Sequence, residues 1–409
     1  SAGERHSACI TNKHELYTWG CGSNYRLGHG LLIDELVPKI VQNLADFYMR
    51  QVSCGANHTI AVTTDDHIYA WGSGLNGRLG INIVSENDQM LPGRVGTLKD
   101  ELKKEKFYEV KAGPYQSLAL TRDGKMFTWG AVKFNTLGRP YLRKDEFIPT
   151  LISGEKIYQN FRNYQMKYLV YNDLYEEGDD NQRLGEEKLD FDAFDLKYQQ
   201  IIITPEQMED PDSSIDPIQR LDIKIIKIFS SENNTAFLDN FGNLYMAGQG
   251  NFGQLTLSPD TKGEEVRDNG KLPEDFVYLE DEAAQTRTLF THSPLYLPIN
   301  IDVKFKSVAL GAHHVVAITT EGTPYSWGKN TEGQLGLGYA SKFVSRPQEI
   351  EEISLKVFKM CAASNTYSAM LSEADGELWV FGTAEHGCLG INDIKSNYDV
   401  LAPKLVNDL

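Results

Sequence analysis

At 409 residues, with 41% apolar and 11% aromatic content, the chain can bury a substantial core, as two or three ordinary domains or as one large closed β architecture. Its 57 acidic against 40 basic residues leave a net charge of −17, which argues against a nucleic-acid surface built on clustered Lys and Arg. No apolar run reaches the roughly 18 uncharged residues of a membrane span.

The opening Ser-Ala-Gly-Glu-Arg-His is neither a signal peptide nor a basic transit segment, and the missing initiator Met suits a processed or trimmed chain. Cys9, Cys21, Cys54, Cys361 and Cys388 form no Cys-x-x-Cys, and their odd number reads as reduced, mostly packed thiols of an intracellular protein. Nothing selects a cytoplasmic, nuclear or cytoskeletal compartment.

In chain order, a single pattern recurs: a Gly-x-x-His strand start, a turn, an aromatic strand ending in Trp-Gly, and a Leu-Gly exit. The first unit has Gly3, His6, Trp19-Gly20 and Leu27-Gly28. The second has Gly55, His58, Tyr69, Trp71-Gly72 and Leu79-Gly80. The third has Gly113, Gln116, Asp123-Gly124, Trp129-Gly130 and Leu137-Gly138.

A fourth unit is nearly erased. A strand-like run from Tyr164 to Val170 precedes Tyr175, Gly178 and Leu184-Gly185. The fifth is weak, with Asn234, Phe241-Gly242, Tyr245, Ala247-Gly248 and Leu255-Thr256. The sixth is clear in Gly311, His314, Glu321-Gly322, Trp327-Gly328 and Leu335-Gly336. The seventh has Tyr367, Asp375-Gly376, Trp379, Phe381-Gly382 and Leu389-Gly390.

Between units, Pro-x-x-Val/Ile recurs at Pro38, Pro92, Pro149, Pro298, Pro347 and Pro403. It suits an edge strand, where proline costs no ladder N–H. About four short strands per unit, repeating at roughly 50 residues, predict a β-propeller of four-stranded blades. The irregular gaps locate two acidic, polar insertions, at about 186–216 and 257–297. The chain begins at one strand of a unit and ends just after another, so the N- and C-terminal strands are expected to close the ring of a single domain over 1–409. The segment linking them, Asn407-Asp-Leu409 with Ser1-Ala2, is abbreviated.

These repeats resemble the regulator of chromosome condensation family of seven-bladed propellers. The likeness covers essentially the whole chain apart from the two insertions, and it implies the fold first and a function only loosely. The residues themselves read as structural. The recurrent Trp rings are expected to fill space between blades, each burying about 150–250 Å². His6, His58 and His314 align with Gln116, Asn234 and Tyr367, so the position wants a hydrogen bond rather than a metal. His313 and His314, adjacent on a strand, should point to opposite faces.

Sequence signatures of metalloproteases, P-loops, nucleophile elbows and EF-hands are absent. Asp65-Asp66 and Asp179-Asp180 fall in turns that favour Asp for backbone reasons. The sequons Asn57-His-Thr59 and Asn233-Asn-Thr235 sit at strand starts and read as chance matches. No catalytic, cofactor or metal residue is assigned.

A non-enzymatic scaffold, binding protein partners through face loops and insertions, is the leading expectation. By resemblance, the alternative is guanine-nucleotide exchange on a Ran-like small GTPase. An ultraviolet photoreceptor is remote. The resemblance implies Trp just after the strand-start Gly, where this chain has Glu4, Ala56, Pro114, Glu232, Ala312 and Asn365.

Overall fold

The computed structural model describes residues 1–81, 86–97, 99–138, 144–152, 224–256, 303–391 and 399–407, and backbone strands at 276–281, 286–291 and 295–296. Most of these belong to one compact unit, Ser1–Ile157 with Ile223–Leu409. The fourth repeat and the insertion at 186–216 lie outside the described residues.

The architecture is an all-β propeller. Its sheets are antiparallel and meander in sequence order. The first blade has β1 (His6–Ile10), β2 (Leu16–Gly20) and β3 (Glu35–Ile40), with Ala2 bridging to Ser7 in place of a full inner strand. The second has β4 (Met49–Cys54), β5 (His58–Thr63), β6 (Ile68–Gly72) and β7 (Gln89–Arg94). The third has β8 (Phe107–Ala112), β9 (Gln116–Thr121), β10 (Met126–Gly130) and β11 (Glu146–Leu151).

The fifth unit supplies β12 (Ile225–Ser230), β13 (Asn234–Asp239) and β14 (Leu244–Gly248). Where sequence gave only extra loop at 257–297, a hairpin of β15 (Phe276–Asp281) and β16 (Thr286–Thr291) forms. The short β17 (Leu295–Tyr296) then completes the fifth sheet beside β14. The sixth blade has β18 (Phe305–Leu310), β19 (His314–Thr319), β20 (Pro324–Asn330) and β21 (Ser341–Glu349). The seventh has β22 (Phe358–Ala363), β23 (Tyr367–Ser372), β24 (Leu378–Gly382) and β25 (Val400–Leu405).

The second strand of each blade explains the apolar runs. In β5, β9, β13 and β19 all six residues are buried, because each sheet is covered on both faces by a neighbouring blade. A strand buried on both faces reads as a continuous apolar run rather than an alternation. The core therefore lies in the seams between blades. One seam packs Ile60, Val62 and Leu79 against Phe107, Val110 and Trp129.

Two glycines show why the repeat needs them. At Gly72, with φ +105°, a Cβ would lie 2.6 Å from the Asn57 carbonyl oxygen and 2.7 Å from the His58 Cα. At Gly80, with φ +67°, it would lie 2.6 Å from Nε1 of Trp129 on the next blade. Both the positive φ and the close approach exclude larger residues.

Candidate binding face

The histidines predicted to be structural are so, through a relay that crosses three of the seams. His58 Nε2 lies 2.9 Å from Ser117 Oγ, and that hydroxyl donates to the Arg78 carbonyl at 2.8 Å. The hydroxyl has one proton, already given to the carbonyl, so Nε2–H of the imidazole donates to it. His6 with Thr59 and Arg26, and His314 with Ser368 and Gln334, repeat the arrangement. In the third blade Gln116 substitutes, its amide donating to Ser230 Oγ and the Ser231 carbonyl. The third and fifth sheets are thus direct neighbours.

Each histidine's Nδ1 is buried without a partner. Burial, and then a nearby arginine, lowers the His6 pKa to about 4. Burial, with His313 alongside, takes His314 to about 3. All three are therefore neutral at pH 7, and their Nε2 positions are taken up by the hydroxyls of the next blade. Among the described residues no group of His, Cys, Asp and Glu is placed to hold a metal ion. His313 lies away from His314's partners, its ring 4.7 Å from that of Phe252.

Sequence reasoning missed one pair of side chains. Arg26 and Arg78, each just before Leu-Gly, are buried and fully used. Arg78 donates to the carbonyls of Leu75 and Pro114 and to Asn76 Oδ1, at 2.8, 3.0 and 2.9 Å. Arg26 does the same with Ser23, Ala56 and Asn24. The signal was the repeated Arg-Leu-Gly of the first two units.

Asp66, read as a turn residue, also ties two blades together. Its carboxylate accepts from Arg50 Nη2 at 2.8 Å and from Arg122 Nε and Nη2 at 2.9 Å. Both guanidinium groups lie over the Tyr108 ring, 5.5 Å from its centroid. Asp66→Asn keeps the left-handed turn but loses the charge. It should lower unfolding free energy by roughly 1 kcal/mol, the modest value of a partly exposed pair. Denaturant melts of the variant check this, and an unchanged midpoint would show the pairing inert.

The cysteines correct one expectation. All five are free, but only Cys54 is buried; Cys21 and Cys361 are half-buried, and Cys9 and Cys388 are exposed.

What remains for function is the mouth of the central channel. The turns joining the first two strands of six blades converge on a cavity of about 530 Å³. Glu4, Ala56, Pro114, Glu232, Ala312 and Asn365 all line it, one from each turn. The photoreceptor comparison therefore concerned the right place, but the mouth holds no Trp. Trp71, Trp129 and Trp327 are fully buried in seams. Glu4 and Glu232 give the mouth two carboxylates, and among the described residues no Lys or Arg lines it. At its edge Tyr115 sits between Arg78 and Lys133, whose cations lie 5.3 and 5.4 Å from the ring centroid.

Antiparallel blades of up to four strands, with the recurrent Gly, Trp and His residues spent on the seams, define a repeat β-propeller. The chain belongs to the RCC1-like domain family, whose model matches residues 1–409. It is 26% identical over 374 residues to the ultraviolet-B receptor UVR8 of Arabidopsis thaliana, covering 90% of this chain and 71% of that one. It is 36% identical over 140 residues to the human E3 ubiquitin-protein ligase HERC2, covering 34% of this chain but 3% of the ligase.

Among solved structures, Prp20p from Saccharomyces cerevisiae superposes with a TM-score of 0.65 at 18% identity, over all of this chain and 76% of that one. Human WBSCR16 gives 0.66 at 17%, over 99% and 80%. At these identities the structural likeness speaks for the fold. No helix among the described residues is long and apolar enough to cross a membrane.

Proposed function

We propose that this protein is a non-enzymatic interaction scaffold that engages protein partners at the acidic channel mouth and the loops around it. The observation that carries this is the division of labour in the structure. The residues that recur between blades serve the seams, while the mouth varies from blade to blade and presents Glu4 and Glu232, with no Lys or Arg lining it among the described residues. A repeated scaffold with a rim that varies from blade to blade suits recognition rather than bond chemistry. An acidic concave mouth favours a partner segment that inserts Lys or Arg.

Charge reversal at both positions, Glu4→Lys with Glu232→Lys, tests it. Partners captured by the parent protein should be lost, with the melting temperature unchanged. An unaltered partner set would overturn the mouth as the contact.

Guanine-nucleotide exchange on a Ran-like GTPase is the second reading. It is supported by family membership and by the likeness to Prp20p, whose structure was studied with its binding to Gsp1p and histones. Acceleration of nucleotide release from purified Ran at stoichiometric protein would establish it, and no acceleration would dismiss it. The photoreceptor reading has no support at the mouth, where none of the six positions is Trp.

A further inference from the structure

The turns that line the channel mouth are stitched one to the next from the first blade to the fifth. The Glu4 amide donates to the Gly55 carbonyl at 3.4 Å. Arg26 Nη1 donates to the Ala56 carbonyl at 2.9 Å, and Arg78 Nη1 to the Pro114 carbonyl at 3.0 Å. Gln116 Nε2 donates at 3.0 Å to the carbonyl of Ser231, the residue before Glu232. Backbone packing leaves these turns little slack. A Cβ at Gly3 would lie 2.4 Å from the Gly55 carbonyl oxygen, and one at Gly55 would lie 2.5 Å from that of Gly113. The stitched arc begins at Glu4, ends at Glu232 and holds the uncharged Ala56 and Pro114 between them.

Arg26 and Arg78 are the costly members of this arc. They are 4% and 3% exposed, and each donates to carbonyls and an amide rather than to a carboxylate. Burying a guanidinium on such terms is unfavourable. The seams do not require it, because the same position before Leu holds Gln254 and Gln334 in the fifth and sixth blades. Both glutamines still offer the main-chain carbonyl that a seam uses, to Trp327 Nε1 and to the Ser368 hydroxyl. Their side chains do not hold the next turn. Gln254 Nε2 has no partner among the described residues, and Gln334 Nε2 donates to Glu332.

Between the fifth and sixth blades Asn233 takes over, its amide donating to the Ala312 carbonyl at 3.2 Å. What arginine adds is therefore the grip on the following turn. That grip is anchored outward as well. Asn24 and Asn76 accept from Arg26 and Arg78 and donate to Asp88 and Asp145, which precede the outer strands of the next blades.

We infer that Arg26 and Arg78 are positioning residues of the mouth: they fix the separation of Glu4 and Glu232, and so select a partner segment by the spacing of its two cationic side chains. This rests on the mouth being the contact surface proposed above. A fixed pair of carboxylates rewards one spacing over the others, the way charge complementarity sets specificity and register. The segment that fits is extended and otherwise neutral, with two Lys or Arg, and advances about 3.3 Å per residue.

Capped, fluorine-labelled Gly/Ser peptides with two lysines separated by one to six residues are the probe. They are titrated by NMR at low ionic strength, where contacts between exposed charges persist. One spacing should bind the parent about fivefold better than the rest, and Glu4→Gln with Glu232→Gln should remove binding. In the variant carrying Arg26→Gln and Arg78→Gln, binding should persist while the preference falls below about twofold.

A preference kept in the arginine variant overturns the inference and leaves the mouth reading standing, as does a parent that binds every spacing alike. A parent that binds none of the peptides overturns both. Hydrogen exchange separates positioning from general loosening. In Arg78→Gln it should speed about tenfold over Gly113–Gln116 and stay unchanged over Gly311–His314, a turn held by Asn233. Faster exchange in both turns, or in neither, also overturns the positioning role.

Discussion

Replacing Trp71 with Ala should lower the unfolding free energy by about 3–5 kcal/mol, whereas Trp19→Ala should cost less than about 1 kcal/mol. The two residues hold the same repeat position at the end of a third strand. Trp71 is fully buried, donates from Nε1 to the Arg26 carbonyl at 3.0 Å, and fills the space above Gly28 of the preceding blade. Its removal leaves a cavity in a seam that also holds Ala8, Leu16, Met49 and Ala61, and strands a carbonyl that Thr59 alone would then serve. Trp19 is half-buried and leaves no such cavity. Urea denaturation followed by far-ultraviolet circular dichroism gives both values. Equal losses would mean that the rings contribute within their own blade and that the seam adds nothing.

The second large effect is with pH. The folded-state pKa of His6 and His314 lies at about 4 and about 3, and that of His58 also lies well below 6.5, chiefly because burial penalises the imidazolium. In the unfolded chain these groups protonate near 6.5. Below that pH the unfolded state binds protons that the folded state refuses, so stability falls as pH drops from about 6.5 toward 4 and is complete above about 7. Each histidine contributes a slope of about 1.4 kcal/mol per pH unit inside that window.

His58→Gln should therefore flatten the decline by about a third of the three-histidine slope, since Gln116 already fills this position in the third blade. Unfolding free energies measured at pH 7, 6, 5 and 4.5 check it. An unchanged slope in the variant would show that His58 takes no part in acid destabilisation.

The repeats were legible because a blade imposes the same local demands each time. Gly72 and Gly80 need their glycines for backbone reasons, and β5 needs an apolar run because both of its faces are covered. The histidine row was readable as hydrogen bonding from its replacement by Gln116 and Asn234. Its partners were not, because Ser117 and Arg78 belong to another blade and another turn, 59 residues and 20 residues away from His58 in sequence. The hairpin at 276–291 was read only as loop, since Phe276–Asp281 carries no Trp-Gly or Leu-Gly marker and, among the described residues, pairs with Thr286–Thr291 alone.

The sequence by itself determined the class of fold, the strand order within each blade and the structural role of the recurrent Gly, Trp and His. All of these follow from contacts that repeat at one spacing along the chain. Only the tertiary structure decided which blades touch. It placed Gln116 against Ser230, gathered Glu4 and Glu232 at one mouth, and left Cys9, Trp19 and Gly390 uncovered. The physical reason is that a seam is made by two units far apart in sequence. Each unit carries its half of the contact whether or not the other half arrives.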